Sequence, residues 1–352
     1  MGPFISIVIP CLNEASTILQ VISDAKKNCR KFFPSDFEII VADNGSTDGT
    51  LESLNKAKFE NVVHIPIRGY GAALHGGILR SRGQYVLYAD ADLSYPFSNL
   101  EKFKETLNLH PDLVLGSRLT GNIEPGAMPV LHRYLGTPIL SSLIRIIYSI
   151  HTSDCNSGMR LVKKSFYKSL NMRNSGMEWA SELLLKTALK NGSYMEVPIT
   201  FKKDQRDKPP HLSTWSDGWR HLKAIVLLKP QILYPLIALL PLIAIYIYPS
   251  NFAVFFFLVY LVFTLGLCLL LLELLKSAIE KKTSRVSIFL SKFIIVPFFL
   301  IFAAALAFLI FWLPDSRMGT KLFLASLTNT LFLWVFFVET VKTHLVNRLP
   351  DV

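Results

Sequence analysis

The sequence predicts an α/β domain with a mainly parallel sheet, followed by interfacial helices and four transmembrane helices. Two observations lead to this fold class. Short β-rich runs alternate with helical segments near the N-terminus, which is the pattern of a parallel sheet. The last third of the chain is composed mostly of apolar residues. We therefore divide the chain into a first part (1–131), a second part (132–229) and a transmembrane part (230–352).

Four strands are predicted in the first part, with helical segments between them. The strands are expected at Ile5–Ile9, Phe37–Ala42, Asn61–Ile65 and Tyr85–Ala89. These runs favour β-branched and aromatic residues, and turn-forming residues separate them from the helical segments. After the first strand, Ile18, Leu19 and Ile22 have helical spacing. This alternation predicts a parallel sheet with helical connections.

Carboxylates are concentrated where these strands end. Glu14 follows the first strand, Asp43 follows the second, and Asp90 and Asp92 follow the fourth. Ligands of such sheets bind beyond the carboxyl ends of the strands. Two aspartates one residue apart could share Mg²⁺ or Mn²⁺, whose other ligands would be water and phosphate oxygens. An isolated pair would more often cap a solvated turn, but four carboxylates on one rim favour a cation that stabilises a diphosphate leaving group.

Two familiar phosphate-binding motifs do not occur in the sequence. No G-x-G-x-x-G follows the first strand, and the run "GYGAAL" from Gly69 lacks the third glycine. The P-loop pattern G-x-x-x-x-G-K-[ST] is missing as well. We therefore expect a cation, rather than a Gly-rich helix terminus, to bind phosphate.

The positive charge of the chain is unevenly distributed. The formal net charge is +11, yet the first part is slightly acidic and the second part is strongly basic. A basic segment next to membrane spans indicates anionic lipid head groups or a phosphate-bearing substrate. Nucleic acid is the other common partner of a basic chain, and the lack of a groove-reading or stacking motif argues against it. The sequence is compatible with a homo-oligomer.

Four apolar runs approach or exceed the roughly 20 residues that a helix needs to cross a bilayer. They are Ile232–Tyr248, Phe252–Leu272, Ile288–Leu313 and Leu322–Val341. Basic residues lie in the loop between the second and third runs and in the C-terminal tail. The positive-inside rule then places these segments and the N-terminal domain in the cytoplasm. The prediction is a multi-pass protein of the cell membrane.

Two amphipathic segments are candidates for interfacial helices. The first, His132–Ile150, has an apolar stripe made of Leu135, Ile139, Leu143, Ile146 and Ile150. A helix at the membrane surface explains this stripe, and so does an ordinary helix that faces the core. The second, Trp215–Leu228, starts with a capping-box pattern at Thr214 and Asp217 and leads into the first apolar run, so the interfacial interpretation is favoured. The basic, proline-interrupted loop "KKDQRDKPPHLS" lies between the two segments.

Several stretches together resemble the N-terminal domain of family 2 glycosyltransferases, whose fold is called GT-A. They are "VIPCLNE", "VADNGSTDGT", "GYGAALHGGILRSRGQYVLYADADLSYP" and "GSR". The later stretches "DCNSGMR", "GMEWASELLLK" and "RDKPPHLSTWSDGWRHL" resemble the polyprenyl-phosphate branch, the relatives of dolichyl-phosphate mannose synthase. The resemblance covers nearly all of residues 4–229. It implies the transfer of a sugar from a nucleotide-sugar, a UDP- or GDP-hexose, to a polyprenyl phosphate.

The resemblance also implies roles for particular residues. The donor would be bound by Pro10, Asn13, Glu14, Asp43, Gly71, Arg118 and Glu178. The metal would be held by Asp90, Asp92 and Ser94, where Ser94 stands in the position at which mannose synthase relatives carry glutamine. The acceptor phosphate would be bound by Arg133, Thr137, Arg206 and His211. With Asp90 and Asp92, the catalytic residues would include Asp154.

The role of Asp154 has two interpretations. A carboxylate near a reacting hydroxyl is the usual general base. A phosphate monoester is already ionised near neutral pH, since its second pKa is about 6, so Asp154 could instead only position the substrates. In either case the acceptor oxygen displaces the nucleoside diphosphate in line and inverts the anomeric carbon.

Two other functions compete with this prediction. A processive polysaccharide synthase should carry a Q-x-x-R-W motif, whereas "DGWRHL" has Trp and Arg reversed and no Gln. A non-catalytic protein that binds or translocates lipid-linked sugars should have a polar pathway, yet few charged residues lie within the apolar runs. Turnover of a nucleotide-sugar would separate an enzyme from a binding protein.

Overall fold

The structure is a computed structural model, and it describes residues 4–207 and 214–229. Up to Ile225 the described residues belong to one compact unit, and a second unit begins at Val226. The four predicted membrane spans and His211 lie outside the described residues. Among residues 4–207 and 214–229, no helix is both long and apolar enough to cross a membrane.

Within the described residues, seven strands form one sheet. They are β1 Ile5–Cys11, β2 Phe37–Asp43, β3 Val62–His64, β4 Tyr85–Tyr88, β5 Leu113–Ile123, β6 Arg160–Lys163 and β7 Tyr194–Phe201. The strand order is β3-β2-β1-β4-β6-β5-β7. The first four strands are mutually parallel, β5 is parallel to β7, and β6 is antiparallel to both of its neighbours. The predicted, mainly parallel sheet is confirmed.

Helices cover the sheet and connect its strands. They are α1 Ile18–Phe32, α2 Thr50–Lys56, α3 Tyr70–Arg80, α4 Leu100–Thr106, α5 Thr137–Tyr148, α6 Lys164–Ser169, α7 Trp179–Leu189 and α8 Thr214–Leu227. A π-helical turn, His132–Gly136, leads directly into α5. The four predicted strands all form, and their ends differ from the prediction by one or two residues.

The core lies between the sheet and these helices. All seven residues of β1 are buried, because this strand is central and covered on both faces. Ile18, Val21 and Ile22 of α1 pack in the same cluster as Ile7 and Ile9 of β1. The loops that follow the central strands are therefore held by a rigid core, and these are the loops that carry the predicted site.

The apolar stripe predicted for His132–Ile150 faces outward along most of its length. Leu135, Ile139 and Ile146 are 51%, 49% and 77% exposed, whereas Ile150, which follows the end of α5, is buried. The face of α5 that packs inward consists of Thr137, Ser141, Ile144 and Tyr148. The core-facing interpretation of this stripe is therefore wrong for its three exposed members.

Hydrogen bonds to α5 and α7 hold helix α8 in place. The Tyr148 hydroxyl donates to the carbonyl oxygen of Ile225 at 2.6 Å. His221 Nδ1 lies 2.8 Å from Ser181 Oγ of α7. Ile225 is fully buried while Trp219 is 62% exposed, so α8 also has one inward and one outward face.

Candidate active site

The predicted carboxylates lie at one edge of the sheet. Strands β2, β1 and β4 are adjacent and parallel, so their carboxyl ends meet. Glu14 lies in the loop after β1, Asp43 ends β2, and Asp90 and Asp92 lie in the loop after β4. Glu14, Asp43 and Asp92 are buried. The crevice expected from the sequence is therefore lined with acidic side chains at three strand ends.

Each aspartate of the Asp90–Asp92 pair is oriented by a neighbour. The Tyr70 hydroxyl donates to Asp90 Oδ1 at 2.9 Å. A Cβ on Gly158 would lie 2.4 Å from Asp90 Oδ2, so only glycine leaves space for this carboxylate. The backbone N–H and the hydroxyl of Ser94 donate to Asp92 Oδ1 at 3.0 and 2.6 Å. Partners that fix the orientation of a carboxylate in this way are typical of the surroundings of a metal site.

The turn between the two aspartates and Ser94 has an uncommon backbone conformation. Leu93 has a φ of 64°, in the left-handed region that bulky side chains rarely adopt. Backbone conformations of this kind are concentrated at functional sites. The Ser94 hydroxyl donates to Asp92, so in this structure Ser94 orients the carboxylate of a predicted metal ligand. Its role as a third metal ligand remains a prediction.

The electrostatics of the crevice favour a cation. Burial, followed by repulsion from Asp92, raises the pKa of Asp90 to about 7. Burial raises the pKa of Glu14 to about 7 too, with Asp92 adding to the rise and Arg206 opposing it. Burial and like charge both disfavour the ionised form of a carboxyl, and a divalent cation bound here would oppose both effects.

The aspartate pair fits a cation that also binds phosphate. Among the described residues, no three His, Cys, Asp or Glu side chains surround one point as a complete set of metal ligands. Mg²⁺ is commonly bound by one or two carboxylates together with water and substrate phosphates. Asp90 and Asp92 therefore match the carboxylate ligands that a protein supplies to such a site, and the oxygens of a diphosphate would supply further ligands.

Arg206 lies in this same crevice, in contact with the acidic residues. Its Nη1 is 3.3 Å from Glu14 Oε1, and its Nη2 is 3.4 Å from Asp92 Oδ2 and 2.6 Å from Asp204 Oδ2. Sequence reasoning assigned this residue to the acceptor phosphate. The structure places its guanidinium between a predicted donor ligand and a predicted metal ligand.

Arg118 and Asp154 form a buried, bidentate ion pair. The Nε and Nη2 atoms of Arg118 donate to the two carboxylate oxygens of Asp154, each at 2.7 Å, and the Arg118 backbone N–H donates at 2.9 Å. Asp154 has no exposed surface. The Arg118 guanidinium also lies 5.1 Å from the centre of the Phe201 ring. In this geometry Asp154 orients Arg118 through Nε and Nη2, and Nη1 is not part of the ion pair.

The loops after β1 and β2 are cross-linked where the nucleoside is expected. The Asn13 backbone N–H donates to Ser46 Oγ at 2.9 Å, and Asn13 Oδ1 accepts from the Thr47 N–H at 2.7 Å. Asp43 accepts from the N–H groups of Gly45 and Ser46, both at 3.1 Å. Pro10 lies next to this region, at the end of β1. The donor-binding roles of Pro10, Asn13 and Asp43 remain predictions.

Gly71 and Glu178 lie where α3 meets the start of α7. A Cβ on Gly71 would be 2.4 Å from Trp179 Cβ, so this glycine permits the close approach of the two segments. Glu178 Oε2 is buried and has no hydrogen-bond partner among the described residues. A ligand hydroxyl would satisfy this oxygen, and the contact of Glu178 with the donor sugar remains a prediction.

The predicted acceptor residues lie on the π-helical turn and the start of α5. The Arg133 guanidinium lies 5.4 Å from the centre of the Tyr134 ring, and Thr137 is buried. Burial and then the charge of Arg118 lower the pKa of His132, which indicates that this turn lies close to Arg118. Single π-helical turns inside helices are frequent at functional sites.

Tyr70, Tyr95 and His132 contact or adjoin the site and are among the residues that sequence reasoning missed. Tyr95 accepts a hydrogen bond from the Gly158 N–H at 2.8 Å, beside Asp90. Tyr70 and Tyr95 occur within the stretch that carries the family resemblance, next to Gly71 and Ser94. No spacing pattern indicates which of these side chains reach the aspartates, because the contacts join separate loops.

Comparison with known proteins identifies the family of this domain. Residues 6–170 match the model of the family described as Glycosyl transferase family 2. The chain contains a family 2 glycosyltransferase domain, as the resemblance predicted. With the observed sheet, in which β6 is antiparallel, this domain has the GT-A α/β fold.

Curated relatives support the predicted branch of the family. The chain is 34% identical over 235 residues to the low-salt glycan biosynthesis hexosyltransferase Agl6 of Haloferax volcanii, a match covering 66% of this chain and 56% of that protein. It is 28% identical over 233 residues to the dolichyl-phosphate beta-glucosyltransferase of Saccharomyces cerevisiae, covering 56% and 66% respectively. The chain thus spans between about half and two thirds of the length of these two relatives.

A solved structure shares the fold. A crystal structure of a mycobacterial protein superimposes with a TM-score of 0.50 at 21% identity. The superposition covers 65% of this chain and 75% of that chain. At this level of identity the likeness concerns the fold alone.

Proposed function

We propose that this protein transfers a hexose from a nucleotide-sugar to a polyprenyl phosphate and requires Mg²⁺ or Mn²⁺. The observation that carries the proposal is the Asp90–Asp92 pair, oriented by Tyr70 and Ser94 in an acidic crevice of a family 2 domain. The names of two relatives support a polyprenyl phosphate as the acceptor. Besides the yeast relative, a dolichyl-phosphate hexose transferase of Haloferax volcanii is 28% identical over 200 residues.

The donor would bind across the loops after β1, β2 and β4. Glu14 and Asp43 would contact the nucleoside, and Asp90 and Asp92 would hold the cation. When bound, the cation would neutralise the charge that develops on the leaving diphosphate. Arg118, held by Asp154, would contact the donor phosphates. Glu178 would accept a hydrogen bond from the sugar.

The acceptor phosphate would bind to Arg133, Thr137, Arg206 and His211. A phosphate oxygen would attack the anomeric carbon while the bond from this carbon to the nucleoside diphosphate breaks, so the configuration inverts. Because the phosphate is already ionised at neutral pH, the reaction needs no strong base. The engagement of both Asp154 oxygens with Arg118 supports a positioning role for Asp154.

A location at the cytoplasmic face of the cell membrane accounts for the outward apolar face near Arg133. Val130, Tyr134 and Ile146 are 73%, 69% and 77% exposed on or next to the π-helical turn and α5. An apolar face flanked by arginines is suited to the boundary between head groups and acyl chains. The proposal includes a multi-pass membrane anchor, which the four apolar runs of residues 230–352 would form.

The function is tested by turnover. Purified full-length protein is incubated with radiolabelled UDP- and GDP-hexoses and a polyprenyl phosphate, with Mn²⁺ or with a chelator. We expect one nucleotide-sugar to yield a lipid-linked monosaccharide only when the cation is present. A water-soluble polymer as product would favour a polysaccharide synthase. Binding of lipid-linked sugar without turnover would favour a binding or translocating protein.

Replacing Arg133 tests the acceptor side. Arg133→Ala should raise the KM for the lipid phosphate by about ten- to a hundredfold, because a hydrogen bond to a charged group contributes roughly 1.5–3 kcal/mol. The KM for the nucleotide-sugar should change little. Arg145→Ala is the matched control, since it removes the same charge from an exposed position on α5. A change in donor kinetics alone would reassign Arg133 to the donor diphosphate.

A further inference from the structure

The segment Lys202–Asp207, here called the 202–207 loop, lies directly against the aspartate turn. The backbone N–H of Lys202 donates to the carbonyl oxygen of Ser94 at 2.8 Å. The backbone N–H of Gln205 donates to the carbonyl oxygen of Asp92 at 3.1 Å. The loop leaves the end of β7 and is joined by its main chain to the residues that carry the predicted metal ligand.

Arg206 connects this loop to two separate parts of the crevice. Its two terminal nitrogens contact Glu14, in the loop after β1, and Asp92, in the loop after β4, at 3.3 and 3.4 Å. Only 13% of the Arg206 side chain is exposed. One guanidinium therefore compensates two carboxylates that the proposed function assigns to the donor and its cation.

A divalent cation on Asp92 and this guanidinium would repel each other at such short range. Arginine stays protonated at every physiological pH, so Arg206 cannot relieve the repulsion by losing its charge. It has to move away from Asp92. Asp204 is part of the same loop, contacts Arg206 at 2.6 Å and is 30% exposed, so Arg206 can leave Asp92 and keep one ion-pair partner.

We infer that Arg206 and the divalent cation compete for the carboxylate of Asp92, and that the released guanidinium then binds the acceptor phosphate. The binding of the acceptor phosphate by Arg206 rests on the proposed function. An arginine fork matches the geometry of a phosphate as well as that of a carboxylate. Binding of the nucleotide-sugar and its cation thus releases Arg206 from Asp92. The lipid phosphate therefore binds more tightly to the enzyme that already holds donor and cation than to the free enzyme. By reciprocity, the acceptor also strengthens binding of the donor.

The competition is tested on the full-length protein in detergent with Mn²⁺ alone as the probe. Calorimetric titration gives the Kd for Mn²⁺, and turnover assays give the KM for polyprenyl phosphate. Arg206→Ala should lower the Kd for Mn²⁺ about fivefold, the size of a weak ion-pair contribution, and should raise the acceptor KM about tenfold or more. A residue that only stabilises the loop would weaken both or change neither.

Two further variants sharpen the test. Arg206→Lys keeps the charge but cannot reach Glu14 and Asp92 with one planar fork, so its Mn²⁺ affinity should lie between those of wild type and Arg206→Ala. Lys203→Ala is the matched control, since it removes the same charge from an exposed position of the same loop. It should leave both constants unchanged. If Arg206→Ala does not fold, Arg206→Lys supplies the comparison.

Unchanged or weaker Mn²⁺ binding in Arg206→Ala and Arg206→Lys would overturn the competition. A raised acceptor KM without tighter Mn²⁺ binding would also overturn it, while the proposed function would stand. If no nucleotide-sugar is turned over with a polyprenyl phosphate, the proposed function fails. The Mn²⁺ titration still decides the competition in that case, because it needs no substrate.

Discussion

Asp92→Asn should leave the protein folded and lower its turnover by at least about 100-fold. The amide keeps the shape of the side chain and can still accept from Ser94, but it is a poor ligand for Mg²⁺ or Mn²⁺. A catalytic cation contributes several kcal/mol of transition-state stabilisation, and each 1.36 kcal/mol is a factor of about ten in rate. Turnover is measured at saturating Mn²⁺, together with the Kd for Mn²⁺.

The matched control for this variant is Asp36→Asn. Asp36 is exposed and uses only its backbone carbonyl and N–H in the hydrogen bonds seen here, so the substitution removes the same charge away from the crevice. It should retain wild-type turnover. If Asp92→Asn retains activity within about twofold of wild type at saturating cation, the metal site does not include Asp92.

Asp154→Ala should destabilise the folded protein by about 3–5 kcal/mol, because it leaves the charge of Arg118 buried without a partner. The measurement is the unfolding of the full-length protein in detergent, compared with wild type under the same conditions. The double variant Arg118→Met with Asp154→Leu should recover most of the lost stability, since two apolar side chains of similar size replace the whole ion pair. Its turnover should remain low if Arg118 contacts the donor phosphates.

The same pair of variants decides between the two roles of Asp154. If the role of Asp154 is to hold Arg118, the Asp154→Ala variant should be both less stable and less active than wild type. A variant that unfolds like wild type and is nevertheless inactive would contradict this. Asp154 would then act on the substrates directly, as a general base does.

The first half of the fold follows from local sequence patterns. Strands β1, β2 and β4 are buried on both faces, so they occur as continuous apolar runs that contrast with the polar turns beside them. Because parallel strands end at the same edge of a sheet, Glu14, Asp43 and the Asp90–Asp92 pair were expected at one edge. This part of the site could be predicted without any knowledge of tertiary contacts.

The second half of the sheet could not be predicted in the same way. Strand β6 has only four residues, Arg160–Lys163, and pairs antiparallel with β4, about 75 residues earlier in the chain. Strand β5 is buried only in its first half and turns polar toward Ile123. Short strands and half-polar strands have no clear period, so their partners are decided by long-range packing.

The chain by itself determined the chemistry of the crevice and the presence of an amphipathic helix before α7. Only the tertiary structure decided which side chains form ion pairs and hydrogen bonds with one another. Arg206 is 192 residues from Glu14, and Arg118 is 36 residues from Asp154, so neither ion pair has a spacing signal. The apolar stripe of α5 faces outward because Ser141 and Tyr148, on the opposite face, bond to Ser153 and Ile225. Periodicity shows that a helix has two faces, but the direction of each face depends on what the rest of the chain packs against it.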